Sequence, residues 1–369
     1  MTSTHGRGLP HLAAAVDQHA LPDADLYVEA ARLAERGGLD FVTLGDSFAR
    51  PGPDALGVLA RVAPATARIG LVPTVTSTHT EPFQIRAAVA TFDRISGGRA
   101  GWQLDVSATG AEAEARLSGR RRRAAPGDAL WREAGEVADA AARLWDGGEG
   151  DAGTRDVATG RFTGRFTDRD EPHDGDFPGA AFSVRGSSTG PRPPQGHPVC
   201  VVDATEGQAR PTAARYADVA LVRAVSAAQA GAVRDELRVA AKDLGRDPDG
   251  LRVLASLVVD LGGGEYAAEP GHGGGGPRPS AHGPLYLGGP VDLAELITTW
   301  HTSGIVDGFH LVPAEPRRDL ERLVNGTVAL LQHRGLFRTF YPGRTLREHL
   351  GLARPAGQYA GPGEPVWTG

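Results

Sequence analysis

The sequence has almost no cysteine and almost no lysine. Cys200 is the only thiol among 369 residues, so neither an intrachain disulfide nor a cysteine-rich metal centre can form. It sits in the β-branched run Val199 to Val202, where a small core side chain is the ordinary reading. Lys242 is the single lysine, and with so much glycine and alanine this reads as codon bias rather than chemistry. No apolar stretch is long enough to span a membrane. The start, "MTSTHGRGLP", lacks the charged-then-apolar order of a secretory signal, so a soluble, cytoplasmic protein is expected. A net charge of −6 argues against general affinity for nucleic acid, and the one basic run, Arg120 to Arg123, reads as a solvated loop. Closely spaced His and Glu sets suited to a metal are missing, as are a Gly-x-Ser-x-Gly elbow and a phosphate-binding Gly-Lys-Ser/Thr loop.

What is present is alternation. Short apolar strands are followed by amphipathic helices, the pattern that builds parallel sheets. Leu9–Val16 reads as the first strand, and Asp23–Arg36 as a helix whose apolar stripe runs through Leu26, Val28, Ala31, Leu33 and Ala34 until Gly37 and Gly38 stop it. Seven further units come after it, with strands in "DFVTLGD", "RIGLVPTV", Ala100–Val106, Val199–Asp203, "DVALV", Val253–Leu261 and "GFHLV". Eight such units predict a (β/α)8 barrel (TIM barrel) in one domain, with a doubly wound sheet as the alternative. The pattern is interrupted twice. Residues 146–197 form an insertion rich in Gly, Asp, Arg and Pro, with a repeated Arg-Phe-Thr that suggests a small hairpin. Residues 262–284 are glycine-rich and read as a mobile loop or lid. Residues 335–369 form a C-terminal extension.

Several phrases occur together and in order: "AERGGLDFVTLGDSF", "IGLVPTVTSTHTEPF", "ATFDRISGGRAGWQ", "LWDG", "FSVRGSSTGPRPPQGHPV", "GIVDGFHLVP" and "RGLFRTFYPGRTLREHLGLARP". Over nearly the whole chain this resembles the bacterial-luciferase-like, flavin-dependent monooxygenases, in particular their nitrilotriacetate-monooxygenase-like branch. The resemblance implies a barrel whose carboxyl-terminal strand ends hold reduced FMN (FMNH2). That flavin, supplied by a separate flavin reductase, would react with O2 to oxidise a small-molecule substrate. It also implies a homodimer formed through helices of the second to fourth units. A related branch uses the deazaflavin coenzyme F420 for hydride transfer without oxygen.

Under that resemblance the strand ends supply the candidates. Asp46 matches an aspartate near the isoalloxazine ring, although it also reads as a helix cap or turn residue. Thr74 and Thr76 would pack under the ring and bond its polar edge. His79 is the candidate for acid-base help. In the fourth strand the family reads Trp-Asn-Val-Val-Thr-Ser where this chain reads Trp102, Gln103, Leu104, Asp105, Val106, Ser107; Gln103 and Ser107 are taken as flavin contacts, the amide displaced by one methylene. Trp131 stands where the family has a tyrosine near the phosphate; it can stack and donate, but it also reads as a core aromatic.

The junction "VCVVDATEGQAR" is either a phosphate cradle or an ordinary capped turn. Asp203, Thr205 and Glu206 fall where the family presents small residues and a serine to the flavin phosphate at a helix start. Glu206 takes the serine's place, and a carboxylate within about 4 Å of a phosphate costs on the order of a kcal/mol. Either the phosphate moves or the pocket holds something else, with Arg210 or Arg120–Arg123 as candidate counter-charges. On the ordinary reading, Asp203 or Thr205 caps a helix whose first turn favours Glu206. Three functions stand at this point: a two-component FMNH2-dependent monooxygenase, an F420-dependent oxidoreductase, and a barrel that has lost flavin catalysis and serves as a binding or subunit partner.

Overall fold

In the expected pattern each strand is buried on both faces and each helix buries one stripe, and the computed structural model has that arrangement. It describes residues 8–18, 23–46, 52–78, 80–106, 127–146, 192–262 and 276–355, together with the backbone of four short strands between 153 and 184. Eight strands run parallel: β1 His11–Ala15, β2 Phe41–Leu44, β3 Gly70–Thr76, β4 Gly101–Asp105, β5 Val199–Asp203, β6 Val219–Val222, β7 Arg252–Asp260 and β8 Gly308–Pro313. Each pairs with the next, and β8 returns to β1 through His11 opposite Gly308, so the sheet closes into a (β/α)8 barrel. The doubly wound alternative is thereby excluded. Helices α1 Ala24–Arg36, α2 Ala55–Val62, α3 Pro82–Ile95, α4 Gly127–Asp146, α5 Arg210–Tyr216, α6 Ala227–Asp243, α7 Pro290–Thr302 and α8 Pro316–Arg322 occupy the intervening positions. Among the described residues no helix is long and apolar enough to cross a membrane.

Side chains two apart on a strand share a face. Leu12, Val42, Leu71, Trp102, Val202 and Phe309 belong to the shell between strands and helices, while Phe41, Val72, Val199, Val201, Leu221 and Leu254 fill the barrel itself. The C-terminal segment completes that inner core. Leu346, on a short helix Leu346–His349 that opens with a capping box between Thr345 and Glu348, joins it together with Leu350 and Leu352 just past the helix end. Gly70 and Gly101 make the approach feasible: a Cβ on Gly70 would lie 2.5 Å from Leu346 Cδ1, and one on Gly101 would lie 2.8 Å from Val72 Cγ2. The amino-terminal end of the barrel is therefore plugged, and the polar strand ends are left at the other.

The interruptions differ from one another. In the first, two hairpins pair Gly153–Arg155 with Phe162–Gly164 and Phe177–Pro178 with Ser183–Val184; Arg165 to Thr167, the second of the repeated triplets, lies outside the described residues. In the second, residues 263–275 lie outside the described residues. The chain continues from there into a hairpin, Arg278–Ser280 with Gly283–Leu287, whose second strand extends the sheet beside the end of β7.

Asp40, just before β2, is fully buried and ties the C-terminal extension to the barrel. It accepts from Arg338 Nη1 at 2.9 Å and the Leu12 amide at 2.8 Å, and it meets His11 Nδ1 at 3.1 Å. Burial pushes its pKa up, but His11 and Arg338 outweigh that and hold the carboxyl below its ordinary value. Its stabilising contribution is therefore present above the ordinary aspartate pKa and lost as pH falls through the depressed one. Asp40→Ala should cost about 3–5 kcal/mol, since it strands a buried arginine. Denaturant unfolding at neutral pH measures the loss, and the variant should show a shallower fall in stability on acidification.

Candidate active site

Inner-face alternation, followed to the carboxyl ends of the strands, brings a set of polar side chains to the barrel mouth. These are Thr43 on β2, Thr74 and Thr76 on β3, Gln103 and Asp105 on β4, Asp203 on β5, Ser256 on β7 and His310 on β8, with Arg223 immediately after β6. The register sets Thr74 beside Gln103 and Thr76 beside Asp105. Gln103 lies beside Val201, so one step further along the ladder Asp105 falls next to Asp203. Barrel enzymes carry their chemistry at this end.

The floor of the mouth is a buried three-residue chain. His310 Nε2 meets Thr43 Oγ1 at 2.8 Å and its Nδ1 meets Ser256 Oγ at 3.0 Å. A neutral imidazole with one donor and one acceptor nitrogen satisfies both bonds. Burial is the main cause that pushes its pKa down to about 4; Asp203 acts in the opposite direction and Arg223 adds to the fall. His310 is therefore neutral at physiological pH.

One wall carries an ion pair. Arg223 Nη2 lies 2.9 Å from Asp203 Oδ2, the Thr205 amide donates to Asp203 Oδ1 at 3.0 Å, and the Arg223 amide donates to Thr205 Oγ1 at 2.9 Å. These contacts join the loops after β5 and β6. The hairpin lies against them: Gly283, at φ +108°, places its Cβ position 3.5 Å from Arg223 Cδ. On the adjoining wall Thr74 is 7% exposed, and the side chains of Thr74, Thr76 and Gln103 make no hydrogen bond among the described residues. Such free donors and acceptors on neighbouring strands match the edge of a planar heteroaromatic ring.

Of the residues expected from sequence, Thr74, Thr76, Gln103 and Asp203 come together at this mouth. Asp46 stands at the loop after β2 and accepts from the Ala55 amide at 3.3 Å, while Asp54 is the cap of α2. Trp131 is packed into the core on α4, where its carbonyl accepts from Thr212 Oγ1 at 2.8 Å. His79 and Ser107 lie outside the described residues.

At the fifth junction the capped-turn expectation is corrected. The turn spans 206–209 and α5 begins at Arg210, so neither Asp203 nor Thr205 caps it; the cap position is Ala209, which makes no side-chain capping bond. Glu206 is exposed. Arg210 is not a spare counter-charge, because its guanidinium bonds the carbonyls of Ala204 and Thr205 and the carboxylate of Glu236. Arg120–Arg123 lie outside the described residues. Sequence reasoning missed Asp105, Arg223, Thr43, Ser256 and His310. Asp105 and His310 carried a usable signal, since each is a polar residue in step with the inward positions of an otherwise apolar strand.

Fold and mouth together define a barrel enzyme of the kind that builds its site from strand ends and the loops after them. The luciferase-like monooxygenase family model matches residues 2–271, and the chain belongs to that family. It is 31% identical to nitrilotriacetate monooxygenase component A of Aminobacter aminovorans, across 93% of each chain. The EDTA monooxygenase structure from a Chelativorans species superposes with a TM-score of 0.78 at 22% identity, covering 94% of this chain and 99% of that one. An F420-dependent tetrahydromethanopterin reductase from Methanopyrus kandleri shares the fold less closely, with a TM-score of 0.62 at 15% identity over 88% of this chain and 99% of that one.

A histidine whose native pKa lies below its ordinary 6.5 loses stabilisation as pH falls from about 6.5 towards about 4, because the unfolded chain takes up the proton first. His310→Leu should abolish that limb of the stability profile. Near neutral pH it should cost about 1–3 kcal/mol for the unpaired Thr43 and Ser256 hydroxyls. Denaturation midpoints across the acidic range check both effects.

Proposed function

We propose that the protein is a monooxygenase that binds reduced FMN at the barrel mouth and uses O2 to oxidise a small organic substrate, with a separate reductase supplying the flavin. The observation that carries this is the row of unengaged polar side chains, Thr74, Thr76 and Gln103, on adjacent strands of a luciferase-family barrel. The similarity to a component A of a monooxygenase supports the two-component arrangement. Bound reduced flavin supplies the electron pair that activates O2.

The chain's own residues hold and shield that group. Gln103 offers a donor and an acceptor to the ring edge, and the two threonine hydroxyls lie one strand away. Neutral His310 keeps a positive charge out of the floor. At the phosphate end the exposed residues 206–208 of the turn offer backbone amides, and Arg223 on the neighbouring loop is tied to the same junction through Thr205. The hairpin beside β7 walls the mouth against water. For the homodimer, the support is that α3 exposes a large apolar side chain near each end, Phe83 and Ile95.

Titration of the purified protein, followed by tryptophan fluorescence, should show binding of FMN and reduced FMN at micromolar concentrations, and reduced FMN with the protein should consume O2. Binding of reduced F420 alone, or of no flavin, would overturn the proposal. Gln103→Ala should weaken FMN binding about ten-fold, the equivalent of one or two hydrogen bonds. Glu206→Ser should tighten it by no more than about five-fold, because an exposed carboxylate is screened.

A further inference from the structure

Asp105 and Asp203 end neighbouring parallel strands on the same face, so two carboxyl groups stand side by side in one layer of the mouth. Their surroundings differ. Asp203 is held by Arg223 at 2.9 Å and by the Thr205 amide at 3.0 Å. The Asp105 carboxyl has only the adjacent Val106 amide and Arg223 acting to favour its charged form, and Arg223 is committed to Asp203. Two charged carboxylates in one layer repel, and the group with fewer partners is the more readily protonated of the two. Burial first, and Asp203 second, push the Asp105 carboxyl up from the usual aspartate range; Val106 and Arg223 only partly offset this.

On the same wall Thr76 stands beside Asp105 and Thr74 beside Gln103, and Thr74, 7% exposed, makes no side-chain hydrogen bond among the described residues. Its hydroxyl, on an inward position of β3, is open to the mouth and available to a ligand edge beside Gln103. Resting on the flavin reading above, we infer that Asp105 is a ring-contacting acid that donates a hydrogen bond from its protonated carboxyl to an acceptor atom of the flavin ring. The charged and titratable described groups that face it from the packed elements are Asp203 on β5, Arg223 after β6 and His310 on β8; the last is uncharged above about pH 5.

The test separates ring from phosphate by using riboflavin beside FMN, since a phosphate titrates in the same range. Riboflavin affinity of the wild-type protein, read by flavin fluorescence between about pH 5 and about pH 8.5, should fall as pH rises and Asp105 loses its proton. Asp105→Asn, which keeps a neutral donor, should bind within about two-fold of the best wild-type value and lose the pH dependence. Asp105→Val, which removes the donor, should bind about ten-fold more weakly at low pH. Circular dichroism and denaturation midpoints confirm that the variants are folded. Affinity that rises with pH would mean that a charged Asp105 accepts from the ring, and a pH profile unchanged in Asp105→Asn would mean that another group titrates; either overturns the inference. Failure of the wild type to bind either flavin at any pH is a different outcome and overturns the flavin reading itself.

Discussion

Phe41, Val72, Val199, Val201, Leu221 and Leu254 point into a closed ring of eight strands, and the space they share admits little else. Because residues two apart face the same way, the next inward positions at the carboxyl ends must also face the barrel axis. The polar layer of Thr74, Gln103, Asp105, Asp203 and His310 is thus held in place by the apolar layer beneath it. Its hydroxyl, amide and carboxyl groups are stacked on a packed core and cannot retreat into bulk solvent. This is also why His310 is neutral and Asp105 is pushed towards its protonated form.

The other end of the barrel is built to stay shut. Asp93 on α3 accepts from both the side chain and the backbone amide of Gln195, at 2.6 and 3.2 Å, and from the Ala100 amide at 3.2 Å. Gln195 in turn accepts from the Arg347 amide at 3.0 Å, and Arg347 reaches Asp218 at 2.7 Å. Four elements distant in sequence meet in this knot. Burial still dominates at Asp93 and pushes its pKa up to about 6 despite those donors. With the Asp40–Arg338 tie and Leu346, Leu350 and Leu352 in and just after the last helix, the C-terminal extension forms the floor plate of the barrel. The mouth then remains as the opening towards solvent.

Much of the fold was legible because apolar period and turn residues agree at every unit, and the strand positions follow from that agreement. The site was legible where a motif coincided with alternation, as at Thr74, Thr76 and Gln103. It was misread where local chemistry suggested a local role. Asp203 and Thr205 look like helix caps, yet they bond Arg223 on the next loop. Arg210 looks like a free cation near an anion site, yet it braces the turn and pairs with Glu236. Arg223 itself has no strand pattern or motif around it that would mark it.

The sequence by itself determined the order of strands and helices, which residues of each strand face inward, and membership of the family through phrases spread along the chain. Those properties are local or additive: side-chain alternation, helix stripes and stop signals act within a few residues. Only the tertiary structure decided which inward residues become neighbours, and hence which carboxyl is pushed towards its protonated form, which histidine is neutral and which arginine is already engaged. Proton affinity and hydrogen-bond pairing depend on groups brought together by barrel closure across some 270 residues of chain, as Thr43 and His310 are, and no spacing within one strand encodes that meeting.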